Sequence, residues 1–257
     1  MIIVKSPREI DLMKEAGKLV AKVFETVAPF IKPGISTYEI NEIAEKVIYD
    51  AGGTCPCKGY YDYPAGTCVS VNDTLIHGIP SKKIILREGD LVSLDVVACL
   101  KGYCADATRT FIVGICKDNV RRILDVCQKA FYEGIKQAKP GNRVGDISAA
   151  IQKYVESYGY NVSRDFTGHG IGKSMHEDPS VPNYGIAGTG PIIKKGMALA
   201  IEPMILEGKK ETRVLGDGWT VKSKDGKLTC HYENTVVVTD DGYEIITLTE
   251  EEKKLYV

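Results

Sequence analysis

One tryptophan, four histidines, no Cys-x-x-Cys pair and no long apolar run are the scarcities that narrow the reading of this 257-residue sequence. A spanning helix needs roughly 18 consecutive apolar residues, and no segment approaches that, which excludes a helical integral membrane protein. The start, Met1-Ile-Ile-Val-Lys5, is too short an apolar run for a signal peptide. The chain is therefore expected in the cytoplasm, with no membrane partner. An excess of either charge is also missing: 33 basic against 34 acidic residues leave a net charge of -1. That balance gives no electrostatic footprint for phosphate backbones, so nucleic acid is a poor candidate partner. The eight cysteines, at 55, 57, 68, 99, 104, 116, 127 and 230, lie in a chain too long to need disulfide staples. They read as reduced and mostly buried thiols. What is present, 44% hydrophobic and 26% charged residues, is the ordinary composition of a folded domain with a sizeable core.

Helical patterning spans about 7–29 and 37–51, the second segment opened by the cap candidates Ser36-Thr37 and closed by Gly52-Gly53. Short β-rich runs follow over 55–114, among them Asp90 to Val97 and Tyr103 to Val113. The order then recurs, with helices over 118–138 and 144–158 and strands beyond. Pro33-Gly34 and Pro140-Gly141 each open a helix and lie 107 positions apart. Gly89 and Gly196, each leading an apolar strand, share that offset, as do the acidic strand ends Asp95 and Glu202. Three matches in one register favour an internal repeat. The expectation is a single catalytic domain over 1–257, divided roughly into 1–115 and 116–257. Its two α+β halves would be related by a pseudo-twofold axis, with matched carboxylates facing each other.

The chemistry starts with Asp95 and Asp106, on a hairpin whose turn lies within Leu100-Lys101-Gly102. A turn at Leu100-Lys101 would set the aspartates directly opposite; one at Lys101-Gly102 would make them diagonal neighbours on one face. Opposed Cβ atoms lie about 5 Å apart, where like charges repel. A solvated edge hairpin would tolerate this, but the flanking Val92, Leu94, Val96 and Phe111 argue for burial, where unpaired carboxylates are costly. A cation between them resolves the conflict. Three of the four histidines stand in glycine- or proline-rich polar contexts: His77 in His77-Gly-Ile-Pro80, His169 in Gly168-His-Gly-Ile-Gly172, and His176 beside Met175 and Glu177. A lone histidine is more often structural than a ligand, yet His-Gly-Ile occurs once in each half. His176-Glu177 does not begin a zinc-protease HExxH, because residue 180 is serine. Glu202 ends an apolar strand and needs a cation or a proton. Glu233, in His231-Tyr-Glu-Asn-Thr235, would taken alone be an outward-facing strand residue.

These segments, with Ser93-Leu-Asp95, Ala105-Asp106, Ile201-Glu-Pro203 and Tyr232-Glu-Asn-Thr235, resemble in order and spacing the pitta-bread-fold metallopeptidases, and among them the type I methionine aminopeptidases. The resemblance covers nearly the whole chain. It implies helices packed on a curved antiparallel sheet, and a metal site of Asp95, Asp106, His169, Glu202 and Glu233, with Asp106 and Glu233 bridging two ions. It implies catalytic roles for Glu202, as proton carrier, and for His77 and His176, which line the site without ligating. A methionine pocket maps onto Cys57, Tyr60, Tyr63, Cys68, Met175 and Trp219, of which Cys68 reads equally well as ordinary core. Two departures stand out: Met175 where the family has phenylalanine, and Cys230-His231 where Ala-Gln is usual.

Four carboxylates bring about four negative charges, which two divalent ions cancel. A ligand set of carboxylates and one imidazole, without thiolate, suits manganese, iron or cobalt rather than a structural zinc. The activity implied is removal of the initiator methionine from nascent proteins and peptides, with a small second residue preferred. Methionyl peptides and nascent chains would be the partners, with the ribosome a candidate, and a monomer is expected. A proline-directed peptidase of the same fold would share the five ligands, but those relatives usually carry a further amino-terminal domain. A catalytically dead binding protein of this fold would be expected to have lost ligands, and all five are present.

Overall fold

The first two helices begin where the sequence carries caps. Ser6 and Ser36 each close a capping box: the serine Oγ accepts from the N–H of Glu9 (3.4 Å) or Glu39 (3.2 Å). Each glutamate carboxylate in turn accepts from the serine N–H, at 2.8 and 2.9 Å. The computed structural model describes residues 1–256. Its helices are α1 (Pro7–Val27), α2 (Thr37–Asp50), α3 (Asp118–Ile135), α4 (Val144–Ser157) and α5 (Glu250–Tyr256). The strands of the first half are β1 (Cys68–Val71), β2 (Thr74–Ile76), β3 (Leu91–Leu100) and β4 (Tyr103–Ile112). Those of the second are β5 (Asn161–Val162), β6 (Thr167–Gly170), β7 (Glu177–Pro182), β8 (Ala198–Ile201), β9 (Met204–Leu206), β10 (Thr212–Val214), β11 (Val221–Ser223), β12 (Thr229–His231), β13 (Asn234–Val238) and β14 (Tyr243–Ile245). The helix ends match the sequence reading within three residues, except for α5, which that reading did not anticipate.

Each helix pair buries an apolar stripe on its own strands. In α1 the buried positions Met13, Ala16, Val20, Val23, Phe24 and Val27 recur at helical spacing. Most of that stripe joins Ile40, Ala44 and Ile48 of α2 against Val92, Leu94 and Val96 of β3. A second core sets Ile123, Cys127, Phe131, Ile147 and Ile151 of α3 and α4 against Leu199, Ile201 and Val236. Pairing in the main sheets is antiparallel, in the orders β1-β3-β4 and β14-β13-β8-β6-β7.

The 107-residue offset recurs in the hydrogen bonds. The Gly34 N–H donates to the Leu86 carbonyl (2.9 Å) and the Gly141 N–H to the Ile193 carbonyl (3.0 Å); the isolated bridges Ser36–Ile85 and Arg143–Ile192 repeat the relation. At the seam the Thr108 N–H donates to the Glu233 carbonyl (3.3 Å) and the Glu233 N–H to that of Thr108 (3.1 Å). Such a reciprocal exchange is the hydrogen-bonded pair of an antiparallel contact. It joins β4 of the first half to the entry of β13 in the second.

Arg109 locks this seam from below. Its guanidinium is stacked over Phe24 and Tyr232, at 5.0 and 4.8 Å from the ring centroids. It donates to the carbonyls of Glu233 (2.7 Å) and Thr247 (3.2 Å), to Asn234 Oδ1 (2.8 Å), and to both Glu252 carboxylate oxygens (2.6 and 2.9 Å). Glu252 is supplied by α5, which Thr249 caps: the Glu252 N–H donates to Thr249 Oγ1 at 3.2 Å. Replacing Arg109 by methionine removes both guanidinium bonds to the Glu252 carboxylate and its charge partner, and leaves the Glu233 carbonyl with only the longer bond from the Thr108 N–H. Breaking a buried charge pair costs about 3–5 kcal/mol, so a drop of about 6–20 °C in melting temperature is expected in calorimetry. An unchanged transition would refute this account of α5.

One expectation is corrected. Cys99 and Cys104 are not reduced thiols but form a disulfide across the β3–β4 hairpin, because the register sets Cys99 directly opposite Cys104. The other six cysteines are free.

Candidate metal centre

The β3–β4 register decides between the two hairpin geometries. Leu100 pairs with Tyr103, so Lys101-Gly102 is the two-residue turn, and both residues have positive φ, 51° and 82°. Asp95 pairs with Thr108 and Asp106 with Val97, which makes the aspartates diagonal neighbours on one face. Asp106 is 4% exposed and Glu233 2%. The Asp106 N–H donates to Thr235 Oγ1 (2.9 Å), whose hydroxyl donates to the Asp106 carbonyl (2.8 Å). The Thr108 hydroxyl donates to Glu233 Oε2 at 3.0 Å. The seam therefore fixes two acidic residues from different halves.

His169 enters from β6, which lies between β7 and β8. Its flanking glycines are required by that crowding. A Cβ on Gly168 would lie 2.4 Å from the Ala200 carbonyl oxygen, and one on Gly170 would lie 2.1 Å from that of Asp178. Between them the imidazole Nδ1–H donates to the Gly170 carbonyl (2.9 Å), which leaves Nε2 as the free lone pair. Nε2 is 3.5 Å from Glu202 Oε1 and 3.7 Å from Asp106 Oδ2.

All thirteen residues singled out from the sequence line one cavity of about 510 Å³. Asp95, Asp106, His169, Glu202 and Glu233 lie at its acidic end. Cys57, Tyr60, Tyr63, Cys68, Met175 and Trp219 contribute sulfur and aromatic walls, with His77 and His176 between the two regions. Tyr63 and Trp219 meet edge to face at 5.1 Å, and the Tyr63 hydroxyl is tied to the Thr67 and Gly78 carbonyls at 3.1 and 3.2 Å. His77 holds a left-handed backbone (φ 56°) and sets its ring against Phe166 and Trp219, each at 5.8 Å. His176 packs its ring edge-on to His169 at 4.5 Å, with Nδ1 3.4 Å from the Tyr60 hydroxyl. The sequence reading missed Tyr61, Val97 and Phe166, which also line the cavity. A lone aromatic in a loop carries no spacing signal, but Val97 could have been placed, since it shares the face of Asp95 two residues on.

The electrostatics call for a cation. Burial, then the charges of Glu233, Asp95 and Glu202, holds the Asp106 carboxyl far above the usual range. Glu202 is raised by burial and by Asp95, and Glu233 by burial, Glu202 and Asp95. Asp95 is raised by burial against the opposing pull of His231. Burial depresses His77, His169 and His231 to about 4, keeping all three neutral. Asp106 Oδ1 and Glu233 Oε1 are buried without hydrogen-bond partners among the described residues. Ligand atoms of Asp106, His169 and Glu233 lie within 4.8 Å of one another, and so do those of Glu202, His231 and Glu233. Orphaned carboxylate oxygens and a neutral imidazole at this spacing are a donor set that fits divalent ions.

A pitta-bread fold enclosing such a centre defines a metallopeptidase. The model of metallopeptidase family M24 matches residues 11–240. A methionine aminopeptidase of Clostridium acetobutylicum is 47% identical over 250 residues, spanning 97% of this chain and all of the relative. The crystal structure of a methionine aminopeptidase from Thermotoga maritima superposes with a TM-score of 0.95 at 43% identity, over 96% of this chain and 100% of that one. A prolidase from Pyrococcus furiosus shares the fold at a TM-score of 0.79 and 26% identity; this chain covers only 66% of it. The chain belongs to metallopeptidase family M24, and within that family to the methionine aminopeptidases. It is thus an exopeptidase that depends on divalent metal and removes N-terminal methionine.

Proposed function

We propose that Asp95, Asp106, His169, Glu202 and Glu233 hold two divalent ions, manganese, iron or cobalt, with Asp106 and Glu233 shared between them. The observation that carries this is the pair of orphaned oxygens, Asp106 Oδ1 and Glu233 Oε1, inside a cluster of carboxylates that burial and repulsion keep from ionising alone. When bound, the ions supply Lewis acidity, polarising the scissile carbonyl and making a water acidic enough to attack at neutral pH. Glu202 takes the water's proton and hands it to the leaving amine, a role suited to a carboxylate at the cavity wall. His176 stands beside His169 at the more exposed side of the centre and donates to the carbonyl oxygen as negative charge develops there. His77, braced by Phe166 and Trp219, orients the peptide on the other side.

The methionine side chain occupies the apolar end. Cys57, Cys68 and Met175 offer polarisable sulfur, and Tyr60, Tyr63 and Trp219 offer ring faces and edges, contacts a thioether favours and a charged side chain does not. Met175 and Cys68 are buried, so the pocket is shaped by packed residues. A small second residue is preferred, and nascent chains leaving the ribosome are the substrate pool, which places the enzyme in the cytoplasm. Among the described residues no helix is long and apolar enough to cross a membrane. The recurrence at 107 positions supports a single catalytic domain of two related halves; the enzyme is taken to act as a monomer.

The direct test incubates metal-free protein with Met-Ala-Ser and Ala-Pro peptides, with and without manganese, iron or cobalt, and follows mass loss. Release of methionine only with added metal is expected. Cleavage of the proline peptide alone would favour a prolidase-like specificity. Replacing His176 by alanine is expected to lower kcat by about 100- to 1000-fold, the effect of losing one oxyanion donor. Metal stoichiometry should be unchanged; loss of an ion in that variant would make His176 a ligand instead.

A further inference from the structure

His231 packs against Glu202 and Glu233 without itself lining the cavity, and neither the fold nor the reaction yet gives it a use. It ends β12, whose alternation turns Cys230 into the helix-packed core and His231 toward the carboxylates. Its backbone is fixed: His231 pairs with Met204 across the β12–β9 ladder, and its carbonyl accepts from the Thr110 hydroxyl at 2.5 Å. The side chain is 3% exposed, and its Nε2 lies 3.4 Å from Glu202 Oε2 and 3.9 Å from Glu233 Oε2. Despite those distances Nε2 makes no hydrogen bond to any described residue. A buried nitrogen left unpaired costs about 1–3 kcal/mol, so a rigid strand has no reason to hold it there unless something binds between it and the carboxylates.

The arrangement mirrors the one around His169. Glu202 presents Oε1 to His169 Nε2 at 3.5 Å and Oε2 to His231 Nε2 at 3.4 Å, so its carboxylate stands between two imidazoles. The two compact donor groups, Asp106-His169-Glu233 and Glu202-His231-Glu233, share Glu233, and each contains one imidazole and two carboxylates. We propose that His231 Nε2 is a further metal ligand, completing with Glu202 and Glu233 the coordination of one ion of the pair, so that the centre carries two imidazoles rather than one. This rests on the two-ion reading above. A second nitrogen donor shifts the site's preference away from manganese and toward cobalt or iron, as borderline ligands do.

The test uses the full chain loaded with two equivalents of cobalt(II), X-ray absorption to count imidazoles by their outer-shell scattering, and titration calorimetry for affinity. Two imidazoles per two cobalt ions are expected in the unaltered protein, and one in His231→Gln, which puts the family's usual residue in place. His169→Gln should also fall to one. One of the two binding steps should weaken by about 100-fold or more in His231→Gln. A count of one imidazole in the unaltered protein, or the same count in His231→Gln, would overturn the proposal. The first of these measurements requires no variant to fold. Failure of the unaltered protein to bind cobalt at all would instead overturn the two-ion reading itself.

Discussion

Replacing Glu233 by alanine is expected to abolish measurable turnover and, with it, the rise in melting temperature that added metal produces. Glu233 belongs to both compact donor groups and is the only residue they share. Its removal breaks both at once, whereas loss of His169 or Glu202 leaves one intact. Losing about 4 kcal/mol of transition-state stabilisation lowers the rate roughly a thousandfold, and under the proposed assignment a residue common to both donor groups would be worth about that much. The peptide assay and a thermal melt with and without cobalt check both parts. Activity within tenfold of the unaltered enzyme would refute the assignment of Glu233.

Stripping the metal from the intact chain should expose the strain that the ions relieve, and the sign of its pH dependence can be worked out. In the metal-free fold Asp106, Glu202 and Glu233 are held well above their ordinary values by burial and by one another. The folded state then binds more protons than the unfolded chain, so these groups favour folding at low pH and lose that contribution as pH rises. The neutral histidines act oppositely. His77, His169 and His231 are lowered from 6.5 to about 4, so their effect makes stability rise with pH across that window and then level off. Above pH 6.5 the histidine contribution is level and the carboxylates set the slope, joined toward pH 8.5 by the buried thiols Cys57, Cys68 and Cys127, which burial also raises. The melting temperature of chelated protein should therefore fall between pH 6.5 and 8.5, and metal should flatten the slope. At 100 times its dissociation constant each ion adds about 2.7 kcal/mol, or about 5–10 °C for a chain of this size. Equal slopes with and without chelator would refute the buried-charge account.

The elements that carry the site were legible because each needs a residue type that physics restricts. Glycine brackets His169 where three strands crowd, and acidic residues end or interrupt apolar strands at Asp95, Asp106 and Glu202. The hairpin alone left two registers open, and only strand pairing chose the diagonal one. That choice also accounts for the cysteine misreading: once Lys101-Gly102 is the turn, Cys99 and Cys104 must face each other. Helix α5 was readable in principle, since Thr249-Glu-Glu-Glu252 is a capping box. Its purpose was not, because the partner, Arg109, lies 143 positions away. The loop aromatics Tyr61 and Phe166 reach the cavity by tertiary placement alone.

The exchange of hydrogen bonds between Thr108 and Glu233 sets where the chain can be divided. Asp95 and Asp106 lie before that seam, and His169, Glu202 and Glu233 after it. A cut between β4 and α3 would leave one piece with the two aspartates and, of the site histidines, only the non-ligating His77, and the other with His169, His231 and the two glutamates but no aspartate pair. Neither piece could assemble the centre, so the ions would act as a clasp, and reconstitution from fragments would depend on metal concentration.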